Sequence, residues 1–250
     1  MNIIYIEPYY SGSHKIWIDS YKKYSKHEIK ILHLPGNKWK WRMHGGAITL
    51  ANQLLALDEK IDLILCSDFL NLPVFKSICS DKIKHIPLIM YFHENQLSYP
   101  WSPEDQDTKL KRDLHYHYIN YTSSLIADFN LFNSKYHLNS YISSLKAYLK
   151  KMPDFNNFES IDLIAKKSSV LSIGCELQKF DQYKVAKNNN KPIILWNHRW
   201  EFDKNPELFF NSLFKLKKEK IDFELIVIGE SFKEYPKIFD QAKEILADNL

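Results

Sequence analysis

The residues best suited to chemistry stand in loops that follow short apolar runs. One such loop reads Tyr91-Phe92-His93-Glu94-Asn95-Gln96-Leu97-Ser98-Tyr99-Pro100, a composition too polar to serve packing alone. An imidazole at His93 can donate to a sugar hydroxyl or to charge developing at a reacting centre; the alternative is a structural histidine. Glu94, Asn95 and Gln96 offer polar contacts beside it. Asn133 and Ser134 follow another apolar run and are expected to line the same cleft. Upstream, Tyr9-Tyr10-Ser11-Gly12-Ser13-His14-Lys15 places a permissive Gly12 and a potential helix cap, Ser13, where N–H groups can hold an anion. A simple capped turn is the alternative there. The absence of a GxGxxG fingerprint argues against a nicotinamide enzyme.

Further along, Trp196-Asn197-His198-Arg199-Trp200-Glu201-Phe202-Asp203-Lys204-Asn205-Pro206 leads toward a helix. Arg199 can fork onto phosphate oxygens and Lys204 can add a point charge; surface pairing of Arg199 with Glu201 or Asp203 is the rival. Gly229 ends a strand, where a nucleotide backbone can come close. Trp39, Trp41 and Arg42 read as a loop cluster able to stack on a ring or base, with buried aromatic packing as the alternative. His115 and His117 resemble a metal pair, but residues two apart on a helix do not share a face.

These loops need a frame. Strand-like runs at Ile3–Ile6, Glu28–Leu32, Ile61–Cys66, Pro87–Phe92 and Asp128–Phe132 alternate with helical stretches at Ser13–Tyr24, Ala47–Leu57, Leu110–Leu125 and Tyr136–Lys150. On the second of those helices, Ile48, Leu54, Leu55 and Leu57 are available for one face. Such alternation predicts an α/β fold with a doubly wound parallel sheet, because parallel strands need long crossovers. Ligands of such sheets bind at the carboxyl ends of the strands. His93 is thus expected in a cleft within reach of the Gly12 loop.

Val170–Ile173 closes a first domain at residues 1–175, and the Lys- and Asn-rich run at 187–191 reads as a linker. A second domain over 191–250 is predicted from strands at Pro192–Trp196 and Phe223–Ile228 and helices at Pro206–Lys218 and Tyr235–Leu246. Two strands are fewer than the four to six or so of an ordinary sheet, so this domain is expected to be partial.

The 34 Lys and Arg against 30 Asp and Glu give a mildly basic chain, with a solvated surface as the plain reading and a diffuse attraction to polyanions compatible with it. Three dispersed cysteines, 66, 79 and 175, predict reduced thiols, no structural zinc and a cytoplasmic setting. The opening strand argues against a signal peptide, and no apolar run is long enough for a transmembrane helix.

Seven motifs, in order, resemble one family, the tRNA-queuosine α-mannosyltransferases. They are Gly12-Ser13-His14-Lys15, Trp39-Lys40-Trp41-Arg42, Ser67-Asp68-Phe69-Leu70, Tyr91-Phe92-His93-Glu94-Asn95-Gln96, Ile119-Asn120-Tyr121-Thr122-Ser123, Phe132-Asn133-Ser134-Lys135-Tyr136-His137 and Trp196-Asn197-His198-Arg199-Trp200-Glu201. The resemblance implies a GT-B architecture of two Rossmann-like domains and a retaining transfer of mannose. It implies GDP-mannose as donor substrate, queuosine in a tRNA as acceptor, and neither cofactor nor metal. On that reading His93 is catalytic. Gly12, Ser13, Arg199, Lys204 and Gly229 bind the donor, and Trp39, Trp41, Arg42, Glu94, Asn95, Gln96, Asn133 and Ser134 bind the acceptor. The competing readings are a lipid or polysaccharide acceptor, and a non-catalytic binder of nucleotide or RNA.

Overall fold

A computed structural model describes residues 1–102, 105–110, 112, 114–184, 191–231 and 234–250. Of the predicted linker at 187–191, residues 187–190 lie outside the described residues. The chain divides into two compact units, Met1–Tyr99 with Asp105–Cys175, and Pro100–Glu104 with Glu176–Leu250.

The first unit runs β1 (Asn2–Tyr10), α1 (Gly12–Tyr24), β2 (Glu28–Pro35), α2 (Trp39–Leu55), β3 (Leu63–Ser67), α3 (Leu72–Ile78) and the single turn α4 (Ser80–Ile83). It continues through β4 (Leu88–Phe92), the short α5 (Gln106–Lys109), α6 (Leu114–Ile126), β5 (Phe129–Phe132), α7 (Lys135–Leu149), α8 (Glu159–Lys166) and β6 (Ser168–Val170). The strands form one six-stranded sheet in the order β2-β1-β3-β4-β5-β6, with every pairing parallel. The α/β doubly wound expectation holds. Alternation along β1 explains why its Ile3–Ile6 run has no polar position: Ile4 and Ile6 enter one core layer, while Ile3 and Tyr5 enter a second with Trp17 and Ile18 of α1. Strands covered on both faces have no polar side to show.

Two readings need correction. α2 starts at Trp39 rather than Ala47, so Trp39, Trp41 and Arg42 stand on its first turn and not on a loop. Within this helix a Cβ on Gly45 would meet the Trp41 ring at 2.5 Å and one on Gly46 would meet Pro8 at 3.3 Å, so glycine here allows close packing. The buried face of α2 also differs. Met43, Ala47, Leu50 and Leu54 recur at helical spacing and are buried, whereas Ile48 and Leu55 are exposed. α8, whose Ile161 and Ile164 reach the core, had no counterpart in the sequence reading.

The second unit contains a 3-10 turn at Leu177–Tyr183, β7 (Ile193–Asn197), a 3-10 turn at Phe202–Lys204, α9 (Pro206–Lys218), β8 (Glu224–Ile228) and α10 (Ile238–Ile245). β7 and β8 pair in parallel. Trp196, Phe210, Leu213, Leu225 and Phe239 form a core between that pair and its helices. Among the described residues, no helix is long and apolar enough to cross a membrane.

Candidate active site

In the first unit, neighbouring parallel strands bring the carboxyl ends of β1, β3, β4 and β5 to one edge of the sheet. The chain reverses direction across the sheet between β1 and β3, the place where such folds leave a crevice. β1 delivers Glu7 there, fully buried. A carboxylate removed from water must be paired and hydrogen-bonded. Four donors meet it. The Tyr5 hydroxyl donates to Oε2 at 3.0 Å and His14 Nδ1 to the same oxygen at 3.1 Å; the Tyr9 N–H and the Ser67 hydroxyl reach Oε1 at 2.9 Å each.

This pairing decides the charges. Burial alone would raise the Glu7 carboxyl, but the His14 cation and the hydrogen bonds hold it below its ordinary value. Burial likewise works against a charged His14, yet Glu7 outweighs it and lifts the imidazole to about 9. Glu7 and His14 therefore stand as carboxylate and imidazolium at neutral pH.

His93 follows β4 directly and is half-buried. Its backbone is gripped at both ends: its N–H donates to Asp68 Oδ1 at 2.9 Å, and its carbonyl accepts from Asn133 Nδ2 at 2.7 Å. Its ring lies 4.1 Å from that of His14 and meets Trp17 edge-on at 5.0 Å. Burial, then the charge on His14, push His93 down to about 3 against the pull of Glu7. It is a neutral imidazole. Asp68, buried after β3, is pushed up to about 8, chiefly by burial. Tyr9, His14 and Trp39 surround Phe69, with ring centroids at 5.2, 5.2 and 6.3 Å, giving this edge an aromatic wall.

The structure treats the anticipated residues unequally. It sets His93 beside His14 of the helix that begins at Gly12, whose φ of +49° suits glycine. Ser13 is not the cap: Ser11 holds the N-cap position, without a side-chain bond, and Ser13 is exposed inside α1. Asn95 is buried, and its side chain closes a turn onto the N–H and hydroxyl of Ser98. Gln96 is buried too; its N–H donates to Asn120 Oδ1 and its side chain to Glu94. Ser134 caps α7 by accepting from the His137 N–H. Asn133 bridges His137 Nδ1 and the His93 carbonyl. These four polar side chains hold their own loops together through local hydrogen bonds, as polar groups withdrawn from water are drawn to do. Glu94 is half-buried, and Trp41 is 63% exposed. Arg42 donates to Pro35 O and Asn37 Oδ1. His115 faces His44 at 3.1 Å rather than His117, as helical spacing requires.

In the second unit, Arg199 pairs with Glu201 at 2.9 Å and Lys204 with Asp203 at 2.8 Å. Gly229 has a φ of +133°, and a Cβ there would lie 2.0 Å from the His198 carbonyl oxygen. Its glycine is required by the approach of the β7 and β8 loops.

Sequence reasoning missed Glu7, Tyr5 and Asp68 as site residues and gave His14 no role of its own. A lone acid ending the apolar run Ile3-Ile4-Tyr5-Ile6-Glu7 was the available signal. Glu7, His14 and His93 each offer a ligand atom within 4.8 Å of the others. A cation there would have to break the Nδ1–H···Oε2 bond and compete with three further donors on Glu7, so the described geometry is that of an ion pair.

The family described as tRNA-queuosine alpha-mannosyltransferase N-terminal matches residues 2–175. A Drosophila melanogaster tRNA-queuosine alpha-mannosyltransferase is 34% identical over 258 aligned residues, which span 100% of this chain and 67% of that protein. Among solved structures, an alpha,alpha-trehalose-phosphate synthase (UDP-forming) from Burkholderia vietnamiensis has a TM-score of 0.55 at 12% identity, over 100% of this chain and 69% of its own. Anabaena HepE in complex with UDP has a TM-score of 0.51 at 14% identity, over 100% and 67%. At those identities the likeness concerns the fold, which is of the GT-B type.

Proposed function

The chain belongs to the tRNA-queuosine alpha-mannosyltransferase family, and from that premise we propose that it transfers mannose from GDP-mannose to the queuosine of a tRNA with retention of configuration. The observation that carries this reading is the family match across residues 2–175, the stretch that contains His93 and the charged pair beneath it. In the proposed reaction the bond between the sugar's anomeric carbon and the diphosphate breaks, and the diphosphate takes the electron pair. A bond to the acceptor hydroxyl forms, and that hydroxyl gives up its proton to the departing diphosphate. His93, a neutral ring at the carboxyl end of β4, touches the reacting groups. Glu94 and the aromatic, basic first turn of α2, with Trp39, Trp41 and Arg42, contact the acceptor. A reaction on tRNA fits a cytoplasmic enzyme.

Arg199 and Lys204 take the charge of the leaving diphosphate. An exposed ion pair such as Arg199–Glu201 is worth about 0–1 kcal/mol, so a diphosphate can displace Glu201 at little loss. The test is transfer of labelled mannose to queuosine-containing tRNA, with and without EDTA. Activity is expected to survive the chelator. Arg199→Ala is expected to weaken GDP binding and transfer by about 1.5–3 kcal/mol, and Arg199→Lys to recover part of that loss because charge remains while the fork is gone. Wild-type transfer in Arg199→Ala, or activity lost to EDTA and restored by manganese, overturns the mechanism.

A further inference from the structure

We infer that Glu7 and Tyr5 are positioning residues that fix the tautomer of His93, placing its proton on Nε2 and leaving Nδ1 as a hydrogen-bond acceptor. The argument follows the protons. Glu7 is acceptor-only as a carboxylate, and its Oε2 receives from the Tyr5 hydroxyl at 3.0 Å. A phenol has one proton to give. Tyr5 keeps it, since burial and then the Glu7 charge raise this phenol well above its ordinary value. With that proton directed at Glu7, the Tyr5 oxygen can only accept from its other neighbour, His93 Nε2, at 3.4 Å. The His93 ring must therefore present N–H at Nε2. Its second nitrogen is then a bare lone pair, and among the described residues no hydrogen bond is made to it.

His14 reinforces the assignment from the other side. Its Nδ1–H occupies the same Glu7 oxygen, and its ring lies 4.1 Å from that of His93. A second positive ring there would face an imidazolium at stacking distance, so His93 is kept neutral and the tautomer matters. The chain His93 Nε2–H to Tyr5 to Glu7 thus orients His93 as a carboxylate orients any imidazole, with a phenol interposed.

The consequence sharpens the role of His93 and rests on the proposed transfer. As an acceptor at Nδ1, His93 receives a hydrogen bond from a sugar or acceptor hydroxyl, rather than donating to developing charge. Tyr5 and Glu7 act only through it.

The test reads the ring nitrogens of His93 by long-range proton–nitrogen NMR on the whole chain, assigned by loss of the signals in His93→Gln. The expected wild-type spectrum shows a neutral ring protonated at Nε2 across about pH 5 to 8. Tyr5→Phe removes one oxygen from a buried ring and is expected to give mixed tautomers. Turnover should fall about three- to tenfold, as for one lost hydrogen bond, with KM for donor and tRNA unchanged. Glu7→Gln supplies a second reading, because an amide that donates to Tyr5 turns the phenol's proton toward His93 and should move the ring proton to Nδ1. A wild-type ring protonated at Nδ1, or variants that leave the tautomer unaltered, overturns the inference. A wild-type chain with the expected tautomer but no transfer to tRNA supports it while overturning the proposed function.

Discussion

Burying Glu7 makes His14 a permanent cation at neutral pH, and the sign of its linkage can be worked out. The folded-state value of His14 lies near 9, above its ordinary one, so the stability it contributes is full below about pH 6.5 and is lost as pH rises through about 9. Asp68, raised to about 8, acts in the same direction but earlier: its protonated form suits the buried site, so its contribution falls from the ordinary aspartate range near pH 4 up to about 8. Glu7 is lowered, so its contribution is present above the ordinary carboxyl range and fades only in acid. The melting temperature is expected to fall between about pH 4 and 9, the part above about pH 8 belonging to His14 alone and being lost in His14→Gln. A flat profile in the wild type would remove the ion pair as a source of stability. The same residue-scale reasoning applies to turnover. His93→Ala is expected to lower kcat by about 10²–10⁴ with little change in donor affinity, because its contact is with the reacting groups. Steady-state kinetics paired with GDP titration separates the two.

At the scale of elements, two glycine positions hold loops in place. Gly229 sits where its backbone alone can face the His198 carbonyl. Gly229→Ala combines a left-handed φ with a clash against backbone, and is expected to destabilise the second unit by about 1–3 kcal/mol. Denaturant unfolding followed by fluorescence of Trp196, buried in that unit's core, is the measurement. The first turn of α1 is more tolerant: a Cβ at Gly12 meets nothing within 4 Å. Gly12→Ala therefore carries only the left-handed penalty, about 1–2 kcal/mol. Should the two substitutions prove equally harmful to stability, close approach would not be what Gly229 provides.

Across the whole molecule, the cores are separate clusters, two flanking the large sheet and one in the second unit. Truncating a fully buried ring is expected to act on its own cluster. Phe210→Ala should cost about 3–5 kcal/mol and lower amide-exchange protection along β7 and β8. Ile64→Ala, beneath the centre of the six-stranded sheet, should cost about 2–5 kcal/mol and lower protection along β1, β3 and β4. Protection lost equally in both units after either change would refute independent cores.

The sequence by itself determined the alternation of strands and helices, since an apolar run such as Ile3–Ile6 beside an amphipathic stretch admits few other folds. It also placed His93 at a strand's carboxyl end, because that position follows from local order alone. Local rules did not reach contacts that exist only in the folded chain. The helix expected from Ala47 begins at Trp39 instead, and the packing of Gly46 against Pro8 of β1 is invisible to a local helix rule. The bonds by which Asn95, Gln96 and Asn133 hold their loops, to Ser98, Asn120 and His137, appear only once the loops are folded. Glu7 shows the limit most plainly. Its charge, and those of His14, Asp68 and His93, depend on desolvation and on distances of a few ångströms between β1, α1, β3 and β4. Composition and spacing carry neither quantity; the packed sheet decides both.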